Sequence, residues 1–218
     1  MKTNIKLIII IALFATAYSG AVKIGELRGT GIAFDKHYML TTAFIARQDA
    51  SRDSILVIVN GAAYDARVEK IDKITIDVEK KEYVNLAVIQ IDNSVDLNAC
   101  RITDEEPVSN DSVNLIGYME NGSPYYSRSF QAKIVTDSTF PTYIAGSVNV
   151  IAPGGFSGAA VEKNGSVIGM LFSASNTHEA SFFHPGKMLN HYIAGMNEPT
   201  TDNVGKCTYQ VRSYTTIK

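Results

Sequence analysis

The sequence predicts an all-β protein built from two antiparallel β-barrels or sandwiches. Three observations support this prediction. Short β-prone segments separated by turn signals recur from residue 26 onward. These segments fall into two blocks, with the polar residues 98–107 between them. No long helical periodicity occurs in the first block, so sheets rather than helices must supply its core.

In the first block, the strongest single signal is the hairpin turn Asn60-Gly61, which follows the apolar run 54–59. Residues 66–71 and 74–78 alternate apolar and polar side chains, as half-buried strands do. The remaining predicted strands of this block are residues 29–34, 38–45 and 83–91.

The second block predicts further strands, then a turn and one short helix. The strands are predicted at residues 112–118, 125–135 and 142–150, and in the run that follows Ser157. Residues 182–186 contain Pro and Gly and predict a turn. Residues 187–196 carry apolar side chains at helical spacing and predict a C-terminal helix.

The N-terminus has the pattern of a secretory signal peptide. Lys2 and Lys6 precede the apolar stretch 7–17, and small residues follow it. A transmembrane anchor is the alternative, but the apolar stretch is too short to span a bilayer. We therefore expect a secreted, extracellular protein. The predicted organisation is residues 1–20 signal peptide, 22–98 N-terminal barrel, 99–110 linker, 111–196 C-terminal barrel with closing helix, and 197–218 C-terminal tail.

The two cysteines and the net charge limit the possible partners. In a secreted protein, Cys100 and Cys207 are expected to form one disulfide, with two free thiols as the alternative. Removing residues 1–20 takes away Lys2 and Lys6 and no acid, so the net charge changes from −2 to −4. Nothing in this charge favours a nucleic acid or an anionic membrane as partner.

A serine lies in a glycine-rich turn at Gly155-Phe156-Ser157-Gly158. Glycines let the backbone adopt positive φ and direct amide N–H groups toward one point. Such a turn can present a nucleophilic hydroxyl, with the amides of Gly155 and Ser157 as an oxyanion hole. The alternative is an ordinary turn between two strands.

Four features follow one another along the chain, and the first of them is a pair of motifs. Gly-Thr-Gly-Ile-Ala (29–33) precedes Leu-Thr-Thr-Ala-Phe (40–44), Asn-Leu-Ala-Val occupies 85–88, Gly-Phe-Ser-Gly-Ala occupies 155–159, and Pro-Gly stands at 185–186. In this order they resemble the chymotrypsin/trypsin-like serine proteases. The resemblance implies two six-stranded antiparallel β-barrels with a cleft between them and a short C-terminal helix.

The resemblance also assigns site residues. Ser157 matches the nucleophile, and the Gly155 and Ser157 amides match the oxyanion hole. Phe44 stands at the position of the general-base histidine, and Asn85 stands at the position of the orienting aspartate. Ile151, six residues before Ser157, matches the base of the primary specificity pocket, where it would favour an apolar partner residue.

These replacements remove the chemistry that a serine nucleophile needs. Its hydroxyl is a weak nucleophile unless a neighbouring base takes its proton, and phenylalanine has no lone pair. Loss of the base in a serine protease costs about 10⁶ in rate. No metal is expected, because no cluster has metal-ligand spacing, and no cofactor is expected either. The histidines, which we expect at surface or capping positions, are His37, His178, His184 and His191.

We therefore expect a secreted, catalytically inactive serine protease homologue, a pseudoprotease that binds an extracellular protein or peptide. A protease, an inhibitor or a substrate-like segment would suit such a cleft, and the protein would then regulate active proteases or their inhibitors. The alternative is an active secreted serine endopeptidase or hydrolase that uses Ser157 with an unusual base. A structural component is a third possibility.

Overall fold

The computed structural model describes residues 22–46, 54–72, 75–77, 82–123, 126–135, 146–196 and 203–217. The predicted signal peptide lies outside these residues. None of the helices in the described ranges is long and apolar enough to cross a membrane.

The described chain is mostly strand. The strands are β1 Val22–Ala33, β2 Tyr38–Thr41, β3 Ser54–Val59, β4 Ala62–Ile71, β5 Thr75–Asp77, β6 Glu82–Val84, β7 Ala87–Ile91, β8 Ser112–Gly117, β9 Arg128–Val135, β10 Gly146–Val148, β11 Ala160–Lys163, β12 Ser166–Ser175, β13 Ala180–Pro185 and β14 Thr208–Ile217. The short helices are α1 Ala43–Ala46, α2 Gly186–Tyr192 and α3 Val204–Cys207.

The strands form two closed six-stranded antiparallel barrels, which confirms the predicted fold class. The first barrel has the order β1-β14-β3-β4-β7-β2, and the second has the order β10-β13-β12-β11-β8-β9. Strands β5 and β6 form a separate two-stranded sheet. The hairpin predicted at Asn60-Gly61 joins β3 to β4, and both of its residues have positive φ, 50° and 82°.

Two predictions at the end of the second barrel need correction. Residues 182–186 are not a turn, because β13 continues to Pro185, which pairs with Gly169 at the end of the strand. A proline is tolerated at a strand end, where its missing N–H interrupts no ladder. The helix predicted at 187–196 begins at Gly186 and ends at Tyr192.

The last strand of the chain belongs to the first barrel. β14, which lies in the segment predicted as a C-terminal tail, pairs with β1 from Val22↔Ile217 to Ile32↔Thr208. On its other side, it pairs with β3. The first barrel is therefore closed only when the end of the chain is in place.

A charged cluster joins β1 to β14. The Glu26 carboxylate lies 2.9 Å from the Arg28 guanidinium and 3.4 Å from that of Arg212, and it accepts a hydrogen bond from the Tyr214 hydroxyl at 3.0 Å. The hydrogen bond from Arg28 is the main cause of a lowered pKa of Glu26. Because that pKa lies below its ordinary value, the carboxylate stays ionised, and its pairing is maintained, to a lower pH than for an unpaired glutamate.

The two barrels and the closing helix share one apolar core. Ile32 and Phe34 of the first barrel belong to the same buried cluster as Val167 and Met170 of the second. Leu189 of α2 packs in this cluster as well. The barrels are therefore held against each other by buried apolar surface.

The predicted disulfide is present between Cys100 and Cys207. Their Cα atoms are 5.5 Å apart, and both residues are fully buried. The bond links the segment between the barrels to the residue that immediately precedes β14. It therefore fixes the start of the strand that closes the first barrel.

Replacing both cysteines by serine is expected to lower the free energy of unfolding by about 4–5 kcal/mol, because the bond closes a long loop in the unfolded chain. The two cysteines are 107 residues apart in sequence. Urea denaturation of wild type and the double variant measures the difference. Equal midpoints and equal slopes for the two proteins would contradict a stabilising role for this bond.

Candidate functional site

The glycine-rich turn lies between β10 and β11 and is held by its own backbone hydrogen bonds. Gly155 and Gly158 have φ of +93° and +90°. The Phe156 amide donates to the Pro153 carbonyl at 3.2 Å. The Gly158 amide donates to the Leu171 carbonyl at 2.8 Å, which fixes the turn to β12.

Both glycines are required by close packing as well as by φ. A Cβ atom at Gly155 would overlap the carbonyl oxygen of Tyr118 and the amide nitrogen of Glu120. A Cβ atom at Gly158 would overlap the carbonyl oxygen of Thr30. The turn is therefore pressed between residues 118–120 of the second barrel and β1 of the first barrel.

Thr30 holds the turn across the interface between the barrels. This fully buried residue donates its amide to the Ser157 carbonyl at 2.8 Å and its hydroxyl to the Gly155 carbonyl at 3.1 Å. The same hydroxyl accepts a hydrogen bond from the Tyr118 amide at 2.9 Å. Sequence reasoning did not assign a role to Thr30, because a threonine in a β-prone run is common.

The side chain of Phe156 anchors the turn in the apolar core of the second barrel. It is 2% exposed and packs edge-to-face against Phe130, with ring centroids 5.3 Å apart. An aromatic pair of this geometry contributes about 0.5–1.5 kcal/mol beyond its buried area. The turn is thus held by apolar packing at the residue directly before Ser157.

Three polar groups of the turn have no hydrogen-bond partner among the described residues. Among the residues that the structure describes, the Ser157 hydroxyl has no hydrogen-bond partner. Within the same residues, the amides of Gly155 and Ser157 have no acceptor. Unpaired amides of this kind can donate to an oxygen of a bound ligand.

The structure joins Phe44 and Asn85 directly. The Phe44 amide donates to Oδ1 of Asn85 at 3.0 Å. Asn85 is 3% exposed, whereas the side chain of Phe44 is 45% exposed. The buried side-chain amide of Asn85 thus supports the backbone of α1. The aromatic ring of Phe44 is partly exposed to solvent.

The expectation that His184 is a surface or capping residue is wrong. His184 lies in β13, is fully buried, and stacks on Phe172 with ring centroids 4.3 Å apart. Its Nε2 accepts a hydrogen bond from the backbone N–H of Asn85 at 3.3 Å. The ring proton is therefore assigned to Nδ1. This imidazole supports Asn85 from inside the protein, and its Nε2 lone pair is already in use.

The other three histidines have no hydrogen bond to Ser157 among the described residues either. His37 is partly buried, with Nδ1 3.2 Å from the Val95 carbonyl oxygen and Nε2 3.7 Å from Asp96. His178 and His191 are exposed. None of the three is hydrogen-bonded to Ser157 in the described part of the chain.

Ile151 has a different environment from the one that the resemblance implies. Its side chain is 45% exposed, which is a surface position and not the enclosed base of a pocket. The residues beside it are held by Ser181, whose hydroxyl accepts from the Ala152 amide at 2.8 Å and donates to the Val150 carbonyl at 2.7 Å. A role of Ile151 in specificity stays a prediction.

Residues 29–170 match the family model of the trypsin-like peptidase domain. No curated protein matches the sequence. The fold is similar to the inactive form of the Rv3671c protease, with 18% identity over 84% of this chain and 91% of that chain and a TM-score of 0.61. The active form of the same protease, from M. tuberculosis, is similar with 17% identity over 83% of this chain and 79% of that chain and a TM-score of 0.64. The serine endoprotease from Yersinia pestis is 22% identical over 75% of this chain and 55% of that chain, with a TM-score of 0.58.

Proposed function

The chain belongs to the trypsin-like peptidase family, and from this premise we propose that it is a secreted protease homologue that binds a protein or peptide without cleaving it. One observation carries the proposal: in the described part of the chain, no proton acceptor is hydrogen-bonded to the Ser157 hydroxyl. Ser157 occupies the family's nucleophile position, Phe44 the position of the base, and Asn85 the position of the orienting acid.

Without a base, the Ser157 hydroxyl is expected to be a very poor nucleophile. Serine attacks a carbonyl only when its proton is removed during the attack. The ring of Phe44 has no lone pair, and the Nε2 of His184 is occupied by the Asn85 amide. The oxyanion hole formed by Gly155 and Ser157 would leave roughly 10³-fold acceleration over water, far below that of a working protease.

Binding does not need a base. Beyond Leu171, β12 pairs with β13, while its pairing with β11 ends at Ala160↔Met170. Within the described residues, the other edge of 173–175 therefore has no strand partner, and Ser173 and Ala174 are exposed. An extended peptide can add to such an edge through main-chain hydrogen bonds.

The partner that we propose is an extracellular protein or peptide, namely a protease, an inhibitor or a substrate-like segment. The predicted signal peptide and the disulfide between Cys100 and Cys207 support an extracellular location. The exposed side chains of Phe44 and Ile151 would favour an apolar residue in the bound segment. Neither a cofactor nor a nucleic acid is part of this proposal.

The test is a selection of random dodecapeptides on the purified protein, with hydrolysis of the selected peptides followed by mass spectrometry. We expect selected peptides that bind and remain intact. Ala174→Pro is expected to weaken their binding by about tenfold or more, because the proline ring disturbs the peptide-binding edge. Ala174→Ser keeps the backbone N–H and is the matched control, and the melting temperature of each variant checks its fold.

Two outcomes would count against the proposal. Selection of no peptide would remove the binding function. Turnover of the selected peptides that is lost in Ser157→Ala would instead favour an active serine hydrolase.

A further inference from the structure

An acidic side chain lies beside the glycine-rich turn. A Cβ atom placed on Gly154 would be 2.7 Å from Oε2 of Glu120, so the Glu120 carboxylate occupies the space that a side chain at 154 would fill. Gly154 directly precedes Gly155, whose unpaired amide is half of the proposed oxyanion hole. Both Gly154 and Glu120 are exposed, so a ligand at the turn can reach the carboxylate.

The backbone of Glu120 is fixed at this place. Its amide donates to the Gly154 carbonyl at 2.8 Å. Its carbonyl accepts a hydrogen bond from Nη1 of Arg28 at 2.8 Å. These two bonds hold residue 120 against the turn, so the carboxylate is carried by an anchored residue.

The charge of this carboxylate is partly balanced by the guanidinium of Arg28, which interacts with it beyond ion-pair distance. In the ranges that the structure describes, no Lys, Arg or His nitrogen lies within 4.0 Å of it. The nearby guanidinium of Arg28 makes its short contacts with the Glu26 carboxylate and with the Glu120 carbonyl oxygen. Arg212, the other cation of that cluster, also pairs with Glu26.

We propose that Glu120 determines specificity for the bound peptide, by selecting a segment with Lys or Arg next to the residue whose carbonyl oxygen accepts from the Gly155 amide. The inference rests on the proposed peptide-binding function and adds the chemical class of the bound segment. A carboxylate at this place attracts a cationic side chain and repels a ligand carboxylate. It also opposes the negative charge that would develop on a carbonyl oxygen at the Gly155 amide, which is a second obstacle to catalysis.

The experiment uses the full mature chain and three variants in the same dodecapeptide selection. Glu120→Gln removes the charge and Glu120→Lys reverses it. Glu106→Lys is the matched control, because it makes the same change in net charge at an exposed acid that no contact joins to Gly154. Selected peptides are then resynthesised with Lys, Gln or Glu at the enriched position, and their dissociation constants are measured by fluorescence anisotropy.

Wild type and Glu106→Lys are expected to enrich Lys or Arg at one position and to bind the Lys peptide about fivefold tighter than the Glu peptide. The preference should disappear in Glu120→Gln, reverse in Glu120→Lys, and weaken in about 0.5 M salt. Peptides that bind without any basic preference, or a preference unchanged in Glu120→Gln, would overturn the role of Glu120 and leave the binding function standing. Absence of any bound peptide would overturn both.

Discussion

A chain that ends at Cys207 is expected not to fold. The truncation removes β14, which pairs with β1 on one side and with β3 on the other. It also removes buried side chains, among them Val211 and Tyr209. Each large apolar side chain contributes about 1.5–3 kcal/mol and each ladder hydrogen bond about 1 kcal/mol, so the loss exceeds the roughly 5–15 kcal/mol that stabilises a domain.

Circular dichroism and thermal melting test this expectation. The truncated chain should lack a cooperative melt, and a synthetic peptide of residues 208–217 added during refolding should restore it. Tyr214→Phe is the control, since it keeps the strand and removes the hydroxyl that donates to Glu26, at a cost of about 1 kcal/mol. A truncated chain that melts cooperatively near the wild-type temperature would show that the barrel closes without its last strand.

The second large effect concerns hydrolysis. Wild-type protein is expected to hydrolyse chromogenic peptide substrates about 10⁶ more slowly than a complete serine triad, and no faster than Ser157→Ala. Phe44→His alone should recover about 10² at most, because an asparagine at position 85 does not hold the imidazole in the required tautomer. Adding Asn85→Asp to Phe44→His supplies the carboxylate that holds the imidazole in the required tautomer.

Steady-state rates at neutral to mildly alkaline pH measure this series, with Ser157→Ala introduced into each background as the control. Any gain must vanish with Ser157. If wild-type turnover is substantial and vanishes in Ser157→Ala, a base acts on this serine and the inactivity proposal is wrong.

Local sequence patterns were sufficient for most strands of this fold and for the turn between β3 and β4. They were wrong at 182–186, and the strand predicted at 38–45 ends at Thr41 and is followed by α1. The Asn60-Gly61 turn encodes its own backbone conformation, because both positions require positive φ. The same holds for the glycines around Ser157, whose φ values the turn needs. The order of the family motifs then gave the number of barrels, which periodicity alone left open between barrels and sandwiches.

Pairings between distant segments could not be predicted in this way. A β-prone tail reads the same whether it ends in solvent or enters a barrel, so the position of β14 between β1 and β3 had no local signal. The buried position of His184 was missed for a related reason. The Pro and Gly that follow it predicted a turn, whereas β13 continues through His184 and places this ring against Phe172.

The surroundings of the site were also beyond sequence reasoning. Thr30 and Glu120 reach the glycine-rich turn from two other parts of the chain, and only the packing of the barrels brings them there. The turn itself could be recognised from the sequence, because its glycines and its serine are adjacent in the chain. Which charges surround the turn depends on tertiary contacts.

The reactivity of the Ser157 hydroxyl toward a fluorophosphonate probe tests the central claim most directly, since the probe labels a serine whose proton a neighbouring base removes. The account predicts that labelling of the intact, folded protein is no greater than that of Ser157→Ala. Stoichiometric labelling of wild type that is lost in Ser157→Ala would contradict it.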